Sequence, residues 1–207
     1  MRSRSSSPSS DALILASGSP QRRAILEQLG VPFSVLATGV EELEQGEPRE
    51  VALENARRKA RAAQAALAEQ GEDGGVPAPV LGVDTLVALD QAIYGKPADE
   101  EQARATLRAL DGREHSVISG VCVIAQGFEQ TAAALTTVRF RPLDEATIGW
   151  YVASGEWRER AGGYAIQGRG AALVAAISGD YTNVVGLPVA TLLEILPKLL
   201  FPAISRA

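Results

Sequence analysis

Side chains that can bind phosphate are concentrated near the start of the chain. Ser17 and Ser19 follow a short apolar run, and Arg22 and Arg23 come soon after them. Pro20 suits the first turn of a helix, because a helix start does not need the N–H that proline lacks. The free N–H groups of a helix start attract anions, and arginine pairs with phosphate through two parallel hydrogen bonds. The stretch therefore predicts either a phosphate site or a surface helix with two solvated arginines.

A carboxylate inside an apolar run is the second feature that could take part in chemistry. Asp84 interrupts residues 80–89, which otherwise have the composition of a buried strand. A buried carboxylate is costly unless it is paired or functional, so Asp84 is either part of a site or satisfied by backbone N–H groups at a bulge. If a turn at Asp90 closes a hairpin, Asp84 and Lys96 lie near each other on neighbouring strands.

Two further polar groups lie between these stretches. Residues 38–44 form an acidic loop with three glutamates, which is explained equally well as a solvated charge run. Residues 48–70 are rich in alanine and predict a helix. Asn55 and Lys59 are one helical turn apart in it and share a face. His115 is the only histidine, so a nucleophilic triad built on histidine is rejected.

A glycine-rich segment near residue 165 permits close backbone approach to a ligand, or simply tight turns. Gln167 lies between its glycines and can present an amide to the edge of a base. Arg169 either faces phosphate or is solvated.

The spacing of apolar residues predicts the elements that position these groups. Strands are expected at 13–16, 31–36, 80–89, 114–125 and 131–140, and helices at 20–29, 48–70, 99–110, 144–153 and 188–200, with a polar turn at 180–183. Because strands and helices alternate, the predicted fold is mixed α/β, with an elongated sheet flanked by helices and the site in a central cleft.

Composition narrows the function classes. The chain has 207 residues, of which 46% are hydrophobic and 22% charged, as expected for one globular domain. We expect that domain at 11–207, after a disordered, serine-rich tail at 1–10 that does not resemble a secretory signal. No apolar run reaches the about 18 residues of a membrane helix. The net charge of −5 argues against nucleic acid as a partner.

Cys122 is the only cysteine, which rules out an internal disulfide and a cysteine metal cluster, and fits a reducing cytoplasm.

Three blocks of the sequence, in order, resemble the Maf family. They are SGSPQRR at 17–23; GVDT at 82–85 followed by GKP at 95–97; and AGGYAIQG at 161–168 followed by GDYTNVVGLP at 179–188. The resemblance extends from about residue 13 to residue 196. It implies the fold shared with inosine triphosphate pyrophosphatases and a metal-dependent hydrolysis of nucleoside triphosphates to the monophosphate and pyrophosphate. Some Maf proteins were first described as inhibitors of septum formation.

The resemblance also assigns roles to residues. It implies that Asp84 is the general base and that Glu42 and Asp84 bind a divalent cation such as Mg²⁺, Mn²⁺ or Co²⁺. The substrate-binding residues that it implies are Ser17, Arg22, Lys59 and Lys96, together with Arg23, which either helps or is structural.

Base recognition is expected at Gln21, Thr85 and Gln167. Thr85 and Gln167 match the subgroup that acts on dTTP and UTP rather than the subgroup that acts on 7-methyl-GTP. Gln21 departs from the arginine that is common in the first subgroup, so the sequence predicts a loosened preference for these bases.

Two other functions compete with this interpretation: a non-catalytic, nucleotide-binding regulator of cell division, and a phosphatase that releases inorganic phosphate from sugar phosphates. For a pyrophosphatase, the expected partner is a nucleoside triphosphate, and neither nucleic acid nor a membrane is expected to bind. A homodimer is compatible with the sequence.

Overall fold

The computed structural model of the chain describes residues 13–69, 78–125 and 127–200. The predicted tail at 1–10 lies outside these residues. The strands are β1 (Leu13–Leu15), β2 (Phe33–Val35), β3 (Val80–Leu89), β4 (Ala92–Tyr94), β5 (Glu114–Ala125), β6 (Phe128–Phe140) and β7 (Val174–Ser178). The helices are α1 (Pro20–Gln28), α2 (Pro48–Glu69), α3 (Glu100–Leu110), α4 (Glu145–Ala153), α5 (Tyr181–Val185) and α6 (Val189–Ile195), with 3₁₀ turns at Ala161–Gly163 and Arg169–Leu173. The prediction of a mixed α/β fold is confirmed.

A single mixed sheet organises these elements, in the strand order β2-β1-β3-β5-β6-β7. β1 is parallel to both β2 and β3. The other neighbours are antiparallel: β3 pairs with β5, β5 with β6, and β6 with β7. β4 pairs with the C-terminal end of β3, on the edge that β1 occupies at the N-terminal end. The pairing with β1 ends at Leu81 and the pairing with β4 begins at Val87. The edge of β3 between these two residues is therefore left open, and Asp84 lies in this gap.

The backbone of helix α2 packs directly against the central strands of the sheet. Its contact face consists of alanines, and Ala52, Ala56 and Ala60 are fully buried. Opposite them the sheet presents Gly82 and Gly120, where an added Cβ would overlap the carbonyl oxygens of Ala56 and Ala52. Small residues on both surfaces thus bring the backbone of α2 onto β3 and β5.

The hydrophobic core occupies both faces of the sheet. Beside α2, Ile14, Val80 and Cys122 pack against its alanines. On the other face, one cluster joins α1 and α6 to the central strands, and a second cluster, which includes Phe140 and Tyr151, joins α3 and α4 to the C-terminal half of the chain.

Within the described residues, none of the helices has the length and apolar character needed to cross a membrane.

The C-terminal region departs from the predicted elements. The predicted turn at 180–183 is the start of helix α5, where the Asp180 carboxylate accepts a hydrogen bond from the Thr182 N–H. The last predicted helix is shorter than expected and ends at Ile195. Leu196 precedes Pro197, and a residue before proline is pushed out of the helical conformation. Strand β7 was not predicted.

Candidate active site

The open edge of β3 forms the floor of a cavity of about 1590 Å³. Its walls come from the β1–α1 turn, the acidic loop, α2, the region after β4 and the start of the 3₁₀ turn at Ala161. Most of the site residues predicted from the sequence line it: Ser17, Gln21, Arg22, Glu42, Lys59, Asp84, Thr85 and Lys96. The topology therefore collects side chains that are distant in the sequence.

Side chains of α2 bind both carboxylate oxygens of Asp84, which is only 6% exposed. Lys59 Nζ lies 2.6 Å from Asp84 Oδ1, and Asn55 Nδ2 donates to Asp84 Oδ2 at 3.0 Å. The prediction that Asn55 and Lys59 share a face is confirmed. Of the two explanations for Asp84, the structure shows a carboxylate paired with side chains rather than one satisfied at a bulge.

Glu42 joins this pair through the same ammonium group. Lys59 Nζ is also 2.7 Å from Glu42 Oε1, so the two carboxylates lie on either side of one cation. Their oxygens are the hard donors that Mg²⁺ and Mn²⁺ prefer, and Mg²⁺ commonly takes one or two carboxylates together with waters and substrate phosphates. In the described part of the chain no group of three or more Asp, Glu, His or Cys side chains is placed to hold a metal ion. The residues present thus fit a cation completed by the substrate.

Arg22 connects three segments from a buried position. Its Nη1 donates to Ser17 Oγ at 2.7 Å, its Nε to the carbonyl oxygen of Gly186 at 2.8 Å and its Nη2 to Thr85 Oγ1 at 3.2 Å. Burial lowers the pKa of Arg22, and the negative charges of Asp84 and Glu42 oppose that shift. Arg22 is therefore a preorganised positive charge beside the carboxylates.

Thr85 belongs to this arginine network. Strand alternation places its side chain on the face of β3 opposite that of Asp84. Its hydroxyl also lies 2.8 Å from Ser119 Oγ, on the neighbouring strand, and 3.3 Å from the Gly186 carbonyl oxygen. The hydroxyl that was expected to recognise a base thus also fixes the guanidinium of Arg22.

Three predicted residues, Lys96, Arg23 and Gln167, have no hydrogen bond to Asp84, Lys59 or Arg22 in the described part of the chain. Lys96 lines the cavity, but its Nζ pairs with Glu159 Oε2 at 3.0 Å. Arg23 and Gln167 are exposed and are not among the residues that line the cavity. Gln21 lines it, and its Oε1 accepts a hydrogen bond from Ser19 Oγ at 3.1 Å. Ser19 is the N-cap residue of α1 but makes no side-chain capping bond, since its hydroxyl donates to Gln21.

Sequence reasoning missed the Gly186 carbonyl and Ser119 as parts of the site. Gly186 lies in the third matching block, but its type does not indicate a role for its backbone carbonyl, and a serine in a strand such as Ser119 is common. Asn55 did carry a signal, which was its spacing of one turn from Lys59.

Comparison with known proteins finds consistent matches over most of the chain. The family model described as Maf-like protein matches residues 12–199. A protein of Alcanivorax borkumensis is 46% identical over 89% of this chain and 93% of its own length. Proteins of Deinococcus radiodurans and Symbiobacterium thermophilum are 45% and 44% identical, over 89% and 92% of this chain and 91% and 95% of their own lengths. All three carry the name dTTP/UTP pyrophosphatase. The chain belongs to the Maf family.

Proposed function

We propose that this protein is a metal-dependent nucleoside triphosphate pyrophosphatase that converts dTTP and UTP to the monophosphate and pyrophosphate. The observation that carries the proposal is the pairing of the buried Asp84 and of Glu42 through Lys59, in a cavity that Arg22 also lines. The name shared by the relatives supports the same reaction and the same substrates.

Positive charge on the cavity wall would bind the triphosphate. Arginine has five N–H donors, and three of those of Arg22 are bound to Ser17, Gly186 and Thr85. Two donors have no partner among the described residues and would be available to phosphate oxygens, on a guanidinium that the protein already orients. Lys59 and Lys96 add two further cations, and each would exchange one carboxylate partner, Glu42 or Glu159 respectively, for phosphate when substrate binds.

Asp84 would accept the proton of the attacking water. The water oxygen forms a bond to the α phosphorus, the bond from that phosphorus to the α,β-bridging oxygen breaks, and pyrophosphate leaves with the electron pair. Glu42 and Asp84 would hold the divalent cation, which when bound supplies positive charge to the phosphate oxygens. Lys59 and Asn55 keep the Asp84 carboxylate in place.

Base selection is assigned to Gln21, Thr85 and Gln167. Because the carbonyl oxygen of Gln21 is engaged by Ser19, its amide N–H groups are the donors available to a carbonyl of uracil or thymine. Gln167 is exposed, so its participation requires movement of its segment toward the bound nucleotide. We also propose a cytoplasmic enzyme that acts on free nucleotides, without nucleic acid or membrane, alone or as a homodimer.

The experiment is an assay of pyrophosphate release from dTTP and UTP with Mg²⁺, Mn²⁺ or Co²⁺. Activity is expected to disappear in EDTA and to return when a divalent cation is added in excess. In water labelled with ¹⁸O, the label should enter the monophosphate. Release of inorganic phosphate instead would identify a phosphatase, and binding of nucleotide without turnover would identify a regulator. Either result overturns the proposal.

Asp84→Asn tests the role of the carboxylate within that assay. Loss of a general base typically costs about 10²–10⁴-fold in rate, so kcat is expected to fall at least about a hundredfold in a folded protein. Asp90→Asn is the matched control, because Asp90 is exposed in the β3–β4 turn and pairs only with Arg113 among the described residues. Near wild-type turnover in Asp84→Asn would show that this carboxylate is structural.

A further inference from the structure

We propose that Asn55 is a positioning residue that sets the distance between Glu42 and Asp84 and thereby prepares the divalent-cation site. This inference rests on the proposed function, since it assigns a role at the same site. Neither the motifs nor the chemistry of the reaction points to this residue. The proposal comes from the hydrogen bonds that the side-chain amide of Asn55 forms.

The amide oxygen and both N–H groups of the Asn55 side chain form hydrogen bonds within the site. Its Oδ1 accepts from the Leu43 N–H at 2.7 Å, and its Nδ2 donates to the Leu43 carbonyl oxygen at 3.0 Å. The second N–H of Nδ2 donates to Asp84 Oδ2 at 3.0 Å. The residue is only 2% exposed. One buried amide therefore holds the acidic loop and the catalytic carboxylate at once.

The acidic loop depends on this link. Leu43 directly follows Glu42, and its side chain is one of the exposed large hydrophobic groups, so apolar burial does not anchor it. The bond between Lys59 and Glu42 is a weaker anchor, because the Glu42 side chain is 44% exposed and exposed ion pairs contribute little. The two partly buried bonds between the Asn55 side chain and the Leu43 backbone are thus the main link that places Glu42 opposite Asp84.

An amide is the group that these partners require. Leu43 offers a donor and an acceptor, and the ionised Asp84 needs a donor; a carboxylate, hydroxyl or alkyl side chain at position 55 does not supply all three interactions. Helix α2 then completes the arrangement, because Lys59 lies one turn later and holds the other oxygen of Asp84. Each oxygen of Asp84 keeps a further lone pair for a cation or water.

The test is a comparison of Mn²⁺ binding, measured by electron paramagnetic resonance with the metal alone, in the wild type, Asn55→Ala and Asn183→Ala. Asn183 is the matched control, since it is a fully buried asparagine whose Nδ2 donates to the Val117 carbonyl and to Thr136 Oγ1. Loss of a residue that orients metal ligands typically weakens metal binding by about 10–100-fold. We expect the Mn²⁺ midpoint of Asn55→Ala to rise by that factor and the midpoint of Asn183→Ala to stay within about twofold of the wild type.

Pyrophosphate release gives an independent readout. Raising the Mn²⁺ concentration should restore part of the lost turnover of Asn55→Ala, which a purely structural defect would not allow. Should Asn55→Ala not fold, Asn55→Ser, which keeps a polar group but does not reach both partners, carries the same expectation.

The outcomes separate the two proposals. A wild type that neither binds Mn²⁺ nor releases pyrophosphate overturns the proposed function and this inference with it. A wild type that does both, with an unchanged Mn²⁺ midpoint in the folded Asn55 variant, overturns only the role of Asn55. An equal rise in the midpoint of Asn183→Ala would also overturn it, since the effect would then follow from loss of stability.

Discussion

Gly82 and Ala56 are in direct contact, and a Cβ on Gly82 would overlap the carbonyl oxygen of Ala56. This contact explains why one face of α2 can reach Asp84. Asn55 and Lys59 flank Ala56 on the helix, and Asp84 lies two residues after Gly82 on the same face of β3. The absence of a side chain at position 82 therefore sets the distances at the site.

Substitution Gly82→Ala should damage both stability and activity. Overpacking a close contact typically costs about 1–3 kcal/mol, and the overlap here is with backbone, which cannot rotate away. Displacement of α2 would also move Lys59 and Asn55 from Asp84. Urea unfolding and pyrophosphate release measure the two effects. Gly95→Ala is the control for stability, because a Cβ there has open space around it, and an equal stability of the two variants would contradict the packing argument.

Arg22→Lys should be strongly destabilising although it preserves the charge. A single ammonium group cannot replace the three directed bonds to Ser17, Thr85 and the Gly186 carbonyl. Hydrogen bonds from charged groups contribute about 1.5–3 kcal/mol, and a buried acceptor left without a donor adds to the loss. We expect a lower unfolding free energy and a raised KM for nucleotide. Arg23→Lys, on an exposed residue of the same helix, should change stability little; equal losses in the two variants would exclude a special role for Arg22.

His115 should make stability depend on pH in the mildly acidic range. The ring is buried against Phe140 and Tyr164, with Nε2 2.9 Å from the Tyr164 hydroxyl and Nδ1 without a partner among the described residues. Burial lowers the pKa of His115 from 6.5 to about 4. Between these two pH values the unfolded chain binds a proton on His115 that the folded protein does not bind. The contribution of this residue to the free energy of unfolding is therefore complete above pH 6.5 and is lost as the pH falls to about 4.

The measurement is the unfolding free energy as a function of pH for the wild type and His115→Phe. A difference of about 2.5 between the two pKa values corresponds to on the order of 3 kcal/mol. The phenylalanine variant loses the bond to Tyr164 but has no titrating ring, so its stability should fall less steeply over this range. Parallel curves for the two proteins would show that other groups cause the dependence.

Gln21→Arg should sharpen the preference for dTTP and UTP. The Gln21 amide is neutral and, because its oxygen is engaged by Ser19, offers uncharged N–H donors, whereas arginine offers charged donors that bind a base edge rich in carbonyl oxygens more strongly. A hydrogen bond with a charged group contributes about 1.5–3 kcal/mol, which corresponds to roughly ten- to a hundredfold in selectivity. Comparison of kcat/KM for dTTP, UTP, CTP and modified nucleotides in both proteins gives the ranking. If the ranking does not change, Gln21 does not select the base.

The sequence by itself determined what depends on local periodicity. The apolar run around Asp84 predicted its burial, and helical spacing predicted that Asn55 and Lys59 share a face. Proline and small polar residues predicted the start of α1, which begins at Pro20. These features follow from the repeat of a helix or strand over a few residues, so a single chain segment contains the information.

Only the tertiary structure decided which of these groups meet. Arg22 reaches Gly186 across 164 residues of sequence, and Lys59 is shared between Glu42 and Asp84, which come from a loop and a strand. Lys96 lines the same cavity as Asp84, but its ammonium group pairs with Glu159, a partner that no local pattern indicated. Such contacts depend on how closely α2 approaches the sheet and on where β1 and β4 leave the edge of β3 open, and both are results of packing between distant segments that no local pattern specifies.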